Sequence, residues 1–180
     1  MSKYEVVEKF VSINGEGTKA GQLAVFIRFK GCNLNCKYCD TKWANEQETP
    51  SQPMTEKEIL DYVLSTGVKN VTLTGGEPLL REGIENVITV LAENNLNIEI
   101  ETNGSVYLDK IRKLHKENVT FTMDYKLSCS GMEAAMNLDN FNILSSNDTV
   151  KFVAGCREDL IKAKQIIEKY NLYGKCNLYI

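Results

Sequence analysis

Residues 23–41 read LAVFIRFKGCNLNCKYCDT, and the order of parts within this stretch sets the architecture. Leu23 to Phe29 is a β-rich run, apolar on both faces except for Arg28. Continuous apolar strands suit a parallel sheet covered by helices, whereas half-exposed antiparallel strands alternate. Arg28 then needs an anion or a cavity, because an unpaired charge inside a packed sheet is costly. Directly after the strand, Cys32, Cys36 and Cys39 are spaced Cys-x3-Cys-x2-Cys, so three of the six cysteines fall within eight residues. A loop of that spacing can bring three thiolates to one point. Zinc favours four protein ligands, or three with an open water, yet the loop has no His and the only His of the chain is His115. Thiolate sulfur suits an iron–sulfur cluster better. Three cysteines on a [4Fe–4S] cube leave one iron open to an outside ligand, which favours chemistry over simple electron carriage. The other reading is a set of structural thiols, or a zinc loop that borrows a distant ligand. Tight cysteine clusters in an intracellular chain point to metal or catalysis.

Working outward, Tyr4 to Val11 mixes Tyr, Val and Phe with charges and reads as an edge strand. Asn14-Gly15-Glu16-Gly17 is a turn whose glycines allow close backbone approach. Lys42 to Pro53 reads as a loop. Thr55 and Glu58 then form a capping box, Ile59, Tyr62 and Val63 give a helical stripe, and Gly67 stops the helix. Val71 to Leu73 is a strand entering Thr74-Gly75-Gly76-Glu77-Pro78. Further helices are expected over 84–94, 108–117 and 157–170, and strands over 98–100, 120–125, 149–153 and 176–180. Leu160, Ile161 and Ile167 are assigned to the core. There is no internal repeat and no low-complexity segment.

This is βα repetition without a dinucleotide fingerprint, and right-handed crossovers would curl it. With about six strands it falls short of a full eight-stranded barrel, which needs ~250 residues. The fold expected is α/β, a partial (open) six-stranded (β/α) TIM-like barrel in a single domain over residues 1–180. A flavodoxin-like open sheet is the alternative. Cys32, Gly75, Glu101 and Lys126 all follow strand C-terminal ends, where such folds carry their sites.

At 180 residues the chain can bury a substantial core, and 43% hydrophobic with 25% charged residues is ordinary globular composition. A net charge of −3 provides no basic field for nucleic acid and favours a small-molecule substrate. No apolar run is long enough for a membrane span, and the N-terminus lacks an apolar signal core. Six cysteines without such a signal imply a reducing cytoplasm.

Cys32, Cys36, Tyr38 and Cys39 resemble the signature loop of the radical S-adenosylmethionine (SAM) superfamily, and Thr74-Gly75-Gly76-Glu77-Pro78 resembles its SAM-amine site. A narrower resemblance runs over nearly the whole chain. Ser12 to Gly17, Phe26 to Phe29, Cys39 to Thr41, Glu101 to Gly104 and Asp124 to Lys126 look like the 7-carboxy-7-deazaguanine synthase family of deazapurine (queuosine) biosynthesis. The resemblance implies a [4Fe–4S] cluster on Cys32, Cys36 and Cys39, with SAM chelating the open iron through its amine and carboxylate. One electron would then cleave a carbon–sulfur bond, giving methionine and a 5′-deoxyadenosyl radical, chemistry that belongs to the cofactor. It further implies a cofactor side made of Tyr38, Asp40, Gly75, Gly76, Glu77, Lys126 and Ser128, and a Mg2+ ligand at Thr41. The implied substrate is 6-carboxy-5,6,7,8-tetrahydropterin. Its carboxylate would pair bidentately with Arg28, and Asn14, Glu16 and Glu101 would take its amide and amine edge. Ring contraction with loss of ammonia, a flavodoxin- or ferredoxin-type reductant and a homodimer complete the implication. Relatives of that family continue past the strand at 176–180 with a segment that helps close the substrate pocket. Either this chain is a compact version or that segment lies beyond it.

Plainer roles exist for these residues. Thr74 to Pro78 could be a strand-end turn, Asp40-Thr41 a loop cap and Lys126 a solvated cation. Glu16 could be a solvated turn residue, Glu101 a salt-bridge partner, and Arg28 the partner of Glu16 or another acid. A glycyl-radical-enzyme activase would share the cysteine loop but would not need Arg28, Glu16 and Thr41. A non-enzymatic iron–sulfur or zinc module would not need Thr74 to Pro78. His115 is read as surface, Cys129, Cys156 and Cys176 as free thiols, and Trp43 as packing or cover beside the cluster loop.

Overall fold

The structure, a computed structural model, describes residues 2–114 and 117–180. His115, read above as a surface residue, lies outside the described residues. In chain order the elements are β1 (Tyr4–Ile13), β2 (Leu23–Phe29), β3 (Gln52–Met54), α1 (Glu56–Thr66), β4 (Asn70–Gly75), α2 (Ile84–Glu93), β5 (Asn97–Thr102), α3 (Asp109–Leu114), β6 (Val119–Tyr125), α4 (Asn140–Ile143), β7 (Thr149–Phe152), α5 (Arg157–Lys169) and β8 (Asn177–Tyr179). One eight-stranded sheet runs in the order β3-β1-β2-β4-β5-β6-β7-β8. The pairs from β2 through β8 are all parallel, which gives the six strands of the open barrel. The hairpin β1–β2 and the pair β1–β3 are antiparallel additions.

Two expectations change here. β1 is not an edge strand, because β3 pairs outside it. The loop expected over Lys42 to Pro53 contains β3 and a short 3-10 turn at Lys42–Asn45. Pro53 is tolerated in β3 because that strand is the true edge, where a missing N–H breaks no ladder.

The helices follow local chemistry. Thr55 accepts from the Glu58 N–H while Glu58 accepts from the Thr55 N–H at 2.8 Å, and Gly67 ends α1 at φ 70°. Such a cap stabilises a helix by about 1 kcal/mol. Ile59 and Val63 are buried beneath it. In α5, Ala163, Ile166 and Ile167 face the core, but Leu160 and Ile161 are 47% and 50% exposed. They were expected to be buried. They lie off the buried stripe of α5, which is formed by Asp159, Ala163, Ile166 and Ile167, and Leu160 borders an open cavity.

Each parallel strand has two chemically different faces, since successive side chains point opposite ways. Val71 and Leu73, Ile98 and Ile100, Phe121 and Met123, and Val150 and Phe152 lie in the buried core. The alternate positions carry Thr72, Thr74, Glu99, Glu101, Thr122, Asp124 and Lys151, which form the polar inner face of the barrel. At the opposite end, Asp148 accepts twice from Arg112 Nη2 at 2.6 Å and from the Phe121 N–H at 2.8 Å. That buried pair anchors α3 against the start of β6. Removing one partner of such a pair typically destabilises by about 3–5 kcal/mol.

Candidate active site

The cysteine loop leaves β2 and is seated by the Gly75-Gly76 turn that ends β4. Gly76 N–H donates to Phe29 O at 3.1 Å and Glu77 N–H to Gly31 O at 3.0 Å. A Cβ on Gly75 would overlap the Phe29 backbone, and one on Gly76 would overlap the Gly31 carbonyl. Both glycines are therefore needed for one loop to lie on the other. Glu77 is fully buried. Its carboxylate accepts from Thr102 Oγ1 at 3.0 Å, Asn103 N–H at 2.6 Å and Leu79 N–H at 3.1 Å. Burial pushes its pKa up to about 7 against those donors. The structure thus aims Glu77 into the protein, where it braces β5 against β4, instead of into the open site.

Asn103 carries that brace to the cysteines. Its Nδ2 donates to Cys32 Sγ at 3.5 Å and to Asn33 Oδ1 at 3.0 Å. Cys32 Sγ also accepts the Leu34 N–H at 3.4 Å. Cys36 is buried, which raises its thiol pKa, with Lys126 acting in the opposite direction. Cys39 Sγ lies 3.7 Å from Thr41 Oγ1. The three thiols do not all close to within 4.8 Å of one another. A single zinc bonded at ~2.3 Å would require sulfurs that close. The wider spacing, the N–H···S donors and the nearby ammonium fit a [4Fe–4S] cluster, whose sulfurs sit on different irons.

Lys126 is mostly buried and ion-paired with Asp124 at 2.7 Å. Burial lowers its pKa, but Asp124, with Cys36 and Tyr38 adding to it, makes the net shift upward, so it stays charged. Tyr38 is 37% exposed and Asp40 exposed on the same loop. Ser128 Oγ donates to Glu133, away from the cysteine loop. The 128–130 turn itself touches that loop, with Lys37 N–H donating to Ser130 O at 3.0 Å.

The inner face holds two polar layers. In the lower, Glu99 accepts from Thr122 Oγ1 at 2.6 Å, from Thr72 Oγ1 at 3.4 Å and from Asn14 Nδ2. Burial raises the Glu99 pKa. Asn14 is fully engaged there, because its Oδ1 also accepts the Glu16 N–H at 2.9 Å. Gly17 closes this layer: a Cβ on it would lie 2.5 Å from Thr122 Oγ1 and 2.7 Å from Glu99 Oε1. In the upper layer, Arg28 stands in register with Thr74, and Thr74 Oγ1 donates to Glu101 at 2.6 Å. Arg28 Nε pairs with Glu8 at 2.9 Å, so its protein partner is Glu8 and not Glu16. Burial pushes the Glu101 pKa up to about 7, and Glu16 and Glu99 add to the rise. Glu16 instead pairs with Lys151 at 2.5 Å, and Lys151 reaches Asp124 at 3.3 Å. A cavity of about 670 Å³ opens beside this layer, lined by Glu16, Gly17, Thr149, Lys151, Leu160 and Tyr179 among others.

The structure therefore brings Cys32, Cys36, Cys39, Thr41, Tyr38, Gly75, Gly76 and Lys126 around one loop, and Arg28, Glu101 and Glu16 onto the adjoining inner face. Asn14 and Glu77 are turned into protein hydrogen bonds. Glu99 and Lys151 were not singled out from sequence, and Asn103 and Asp124 lay within the matching motifs without a role of their own. The alternation of polar and apolar residues in NIEIET, VTFTMDY and TVKF was the signal that could have found Glu99, Asp124 and Lys151.

A partial barrel with three loop cysteines after its first parallel strand and a Gly-Gly turn after its second defines a radical SAM protein. Residues 26–126 match the family described as the Radical SAM superfamily. The chain is 58% identical over 178 residues to a 7-carboxy-7-deazaguanine synthase of Clostridium acetobutylicum, covering 98% of this chain and 80% of that one. It is 33% identical to one from Chlorobaculum tepidum, covering 96% and 77%. The chain belongs to the 7-carboxy-7-deazaguanine synthase family of that superfamily. Its fold matches the crystal structure of QueE from Escherichia coli with a TM-score of 0.74 at 23% identity, over 92% of this chain and 78% of the other. The family implies a [4Fe–4S] cluster and SAM. No helix among the described residues is long and apolar enough to cross a membrane.

Proposed function

We infer that the chain converts 6-carboxy-5,6,7,8-tetrahydropterin to 7-carboxy-7-deazaguanine with loss of ammonia. The observation that carries this reading is the 58% identity, over nearly the whole chain, to a protein of that name. The activase alternative is not favoured, since it leaves the paired charges of the inner face without a task.

Cys32, Cys36 and Cys39 are the residues that would hold the cluster, and when bound it supplies the electron that opens a carbon–sulfur bond of SAM. The remaining roles belong to this chain's own groups. Gly75 and Gly76 fix the cysteine loop against β4. Tyr38, Asp40, Lys126 and the 128–130 turn border the space where SAM would lie. Glu77 acts from beneath as a positioning residue. Arg28, already held by Glu8 through Nε, has its terminal nitrogens for the substrate carboxylate, a bidentate pairing that a lysine cannot copy. Glu101 and Glu16 accept from the amide and amine edge, and Asn14 holds Glu99 and the Glu16 backbone.

Thr41 is proposed as the protein's oxygen ligand to Mg2+, supported by its hydroxyl lying beside Cys39. Magnesium keeps most of its ligands as water and substrate oxygens. Thr41→Ala should lower turnover with cluster content intact, and indifference of the wild type to chelation would remove the ion. A single domain over residues 1–180, a homodimer, a cytoplasmic setting and a flavodoxin- or ferredoxin-type reductant complete the proposal. The net charge of −3 supports a protein that binds neither nucleic acid nor membrane.

The test is whether methionine formation from SAM, in the reconstituted anaerobic protein, is accelerated by carboxytetrahydropterin. Acceleration that disappears in Arg28→Ala supports the reading. An unaltered rate with the pterin present argues for another substrate.

A further inference from the structure

Outside the cysteine loop, Cys129 and Cys156 meet across two separate loops. The Cys129 thiol donates to Cys156 Sγ at 3.1 Å. Cys129 belongs to the 128–130 turn after β6, and Cys156 sits at the start of α5 after β7. The two loops are held together from below by Asp159, which is fully buried. Its Oδ1 accepts the Cys129 N–H at 3.2 Å and its Oδ2 the Gly155 N–H at 3.0 Å. Both carboxylate oxygens are thereby committed to the backbone. The sulfurs are also closer than two thiolates on a tetrahedral zinc, which stand about 3.8 Å apart given a ~2.3 Å bond. The trio is arranged to bring two sulfurs into reach of each other and not to surround an ion.

The geometry points to a reversible disulfide between Cys129 and Cys156, formed by exchange with a low-molecular-weight disulfide. Cys156 is the exposed member and is the thiol that such a reagent reaches first. Its thiolate attacks one sulfur of the small disulfide and releases one small thiolate. The Cys129 thiol then loses its proton and attacks Cys156 Sγ, releasing the second. One small disulfide and two protein thiols become one protein disulfide and two small thiols, with both protein protons passing to the released thiolates. The S–H bond that Cys129 donates keeps it protonated in the resting state and raises its pKa to about 12. Closure of the pair therefore waits on loss of that proton, because the thiolate and not the thiol is the attacking species.

The bond would join two walls of the site. The 128–130 turn receives the Lys37 N–H of the cysteine loop through Ser130 O. Gly155 and Cys156 line the cavity beside Lys151. Oxidation thus stiffens the contact between the cluster loop and the substrate side without using any proposed cluster ligand.

The test uses cluster-loaded protein, so that Cys32, Cys36 and Cys39 are occupied. It is treated with oxidised glutathione under anaerobic conditions, its free thiols are alkylated, and the digested peptides are weighed. The expected result is a peptide pair joined through Cys129 and Cys156, lighter by two hydrogens and separated again by dithiothreitol, with the visible absorbance of the cluster retained. Cys129→Ser should stop at a glutathione adduct on Cys156. A stable glutathione adduct on wild-type Cys156, with no cross-link, would overturn the proposal. So would one equivalent of added zinc that binds the wild type, is lost in Cys129→Ser, and blocks the cross-link.

Discussion

Glu77 accepts the backbone N–H of Asn103 at 2.6 Å, and that bond ties the Gly-Gly turn after β4 to the strand end of β5. The Asn103 side chain then reaches Cys32 Sγ at 3.5 Å. Removing it takes away an N–H···S donor while leaving the three cysteines in place. Such donors raise a cluster's potential by stabilising the more negative reduced form. Asn103→Ala should load iron normally and show a more negative midpoint potential in a redox titration followed by electron paramagnetic resonance. An unchanged potential would show that the contact does not persist in the loaded protein.

Gly76→Ala places a methyl group against the Gly31 carbonyl, a backbone atom that cannot rotate away. Overpacking of this kind typically destabilises by about 1–3 kcal/mol. For a chain of this size that corresponds to a fall in melting temperature of roughly 3–10 °C. Calorimetry and iron content measured together check the result. The expected variant is folded, less stable and poorly loaded with iron.

Glu101 has a pKa of about 7, raised first by burial and then by Glu16 and Glu99. A group whose folded pKa lies above its unfolded value adds stability at low pH and loses it as pH rises through the folded value. The melting temperature should therefore decline from about pH 5 to pH 8, and decline less in Glu101→Gln. Binding works in the opposite sense, because the pterin edge needs an ionised acceptor. kcat/KM should rise through pH 7 in the wild type, and this rise should flatten in Glu101→Gln.

Arg28 and Glu8 separate a positioning pair from a purely structural one. If the guanidinium also meets the substrate carboxylate, Arg28→Ala should weaken substrate binding by about 2–5 kcal/mol, read as a KM increase of about 30-fold or more. Arg28→Lys should rescue poorly. Glu8→Gln should raise KM by a smaller factor, since Arg28 keeps its charge. A lowered melting temperature in Arg28→Ala with KM unchanged would confine the residue to its bond with Glu8.

Much of this arrangement was legible because it is local. The cysteine spacing, the Gly-Gly turn and the Thr55–Glu58 capping box are each written within a few residues, and each appears where expected. What was lost depends on strands meeting at a distance. The partner of Arg28 is Glu8 because a register shift between Val6 and Glu8 brings that acid opposite it, and no composition records a bulge. β3 is three residues long and contains Pro53, so it offers no period to read. Glu99, Asp124 and Lys151 sit at alternating strand positions, and the apolar residues between them mark only the opposite face. Leu160 and Ile161 are apolar, yet the stripe of α5 that is buried runs through Asp159, Ala163, Ile166 and Ile167 and leaves them on the outward side.

The most direct test of the account is product formation. Reconstituted protein would be incubated without oxygen with SAM, reductant, magnesium and 6-carboxy-5,6,7,8-tetrahydropterin, and the mixture analysed by mass spectrometry. The account predicts 7-carboxy-7-deazaguanine and ammonia in equal amounts from the wild type, and neither from Cys36→Ala. A fully loaded protein that cleaves SAM yet returns the pterin unchanged would contradict it.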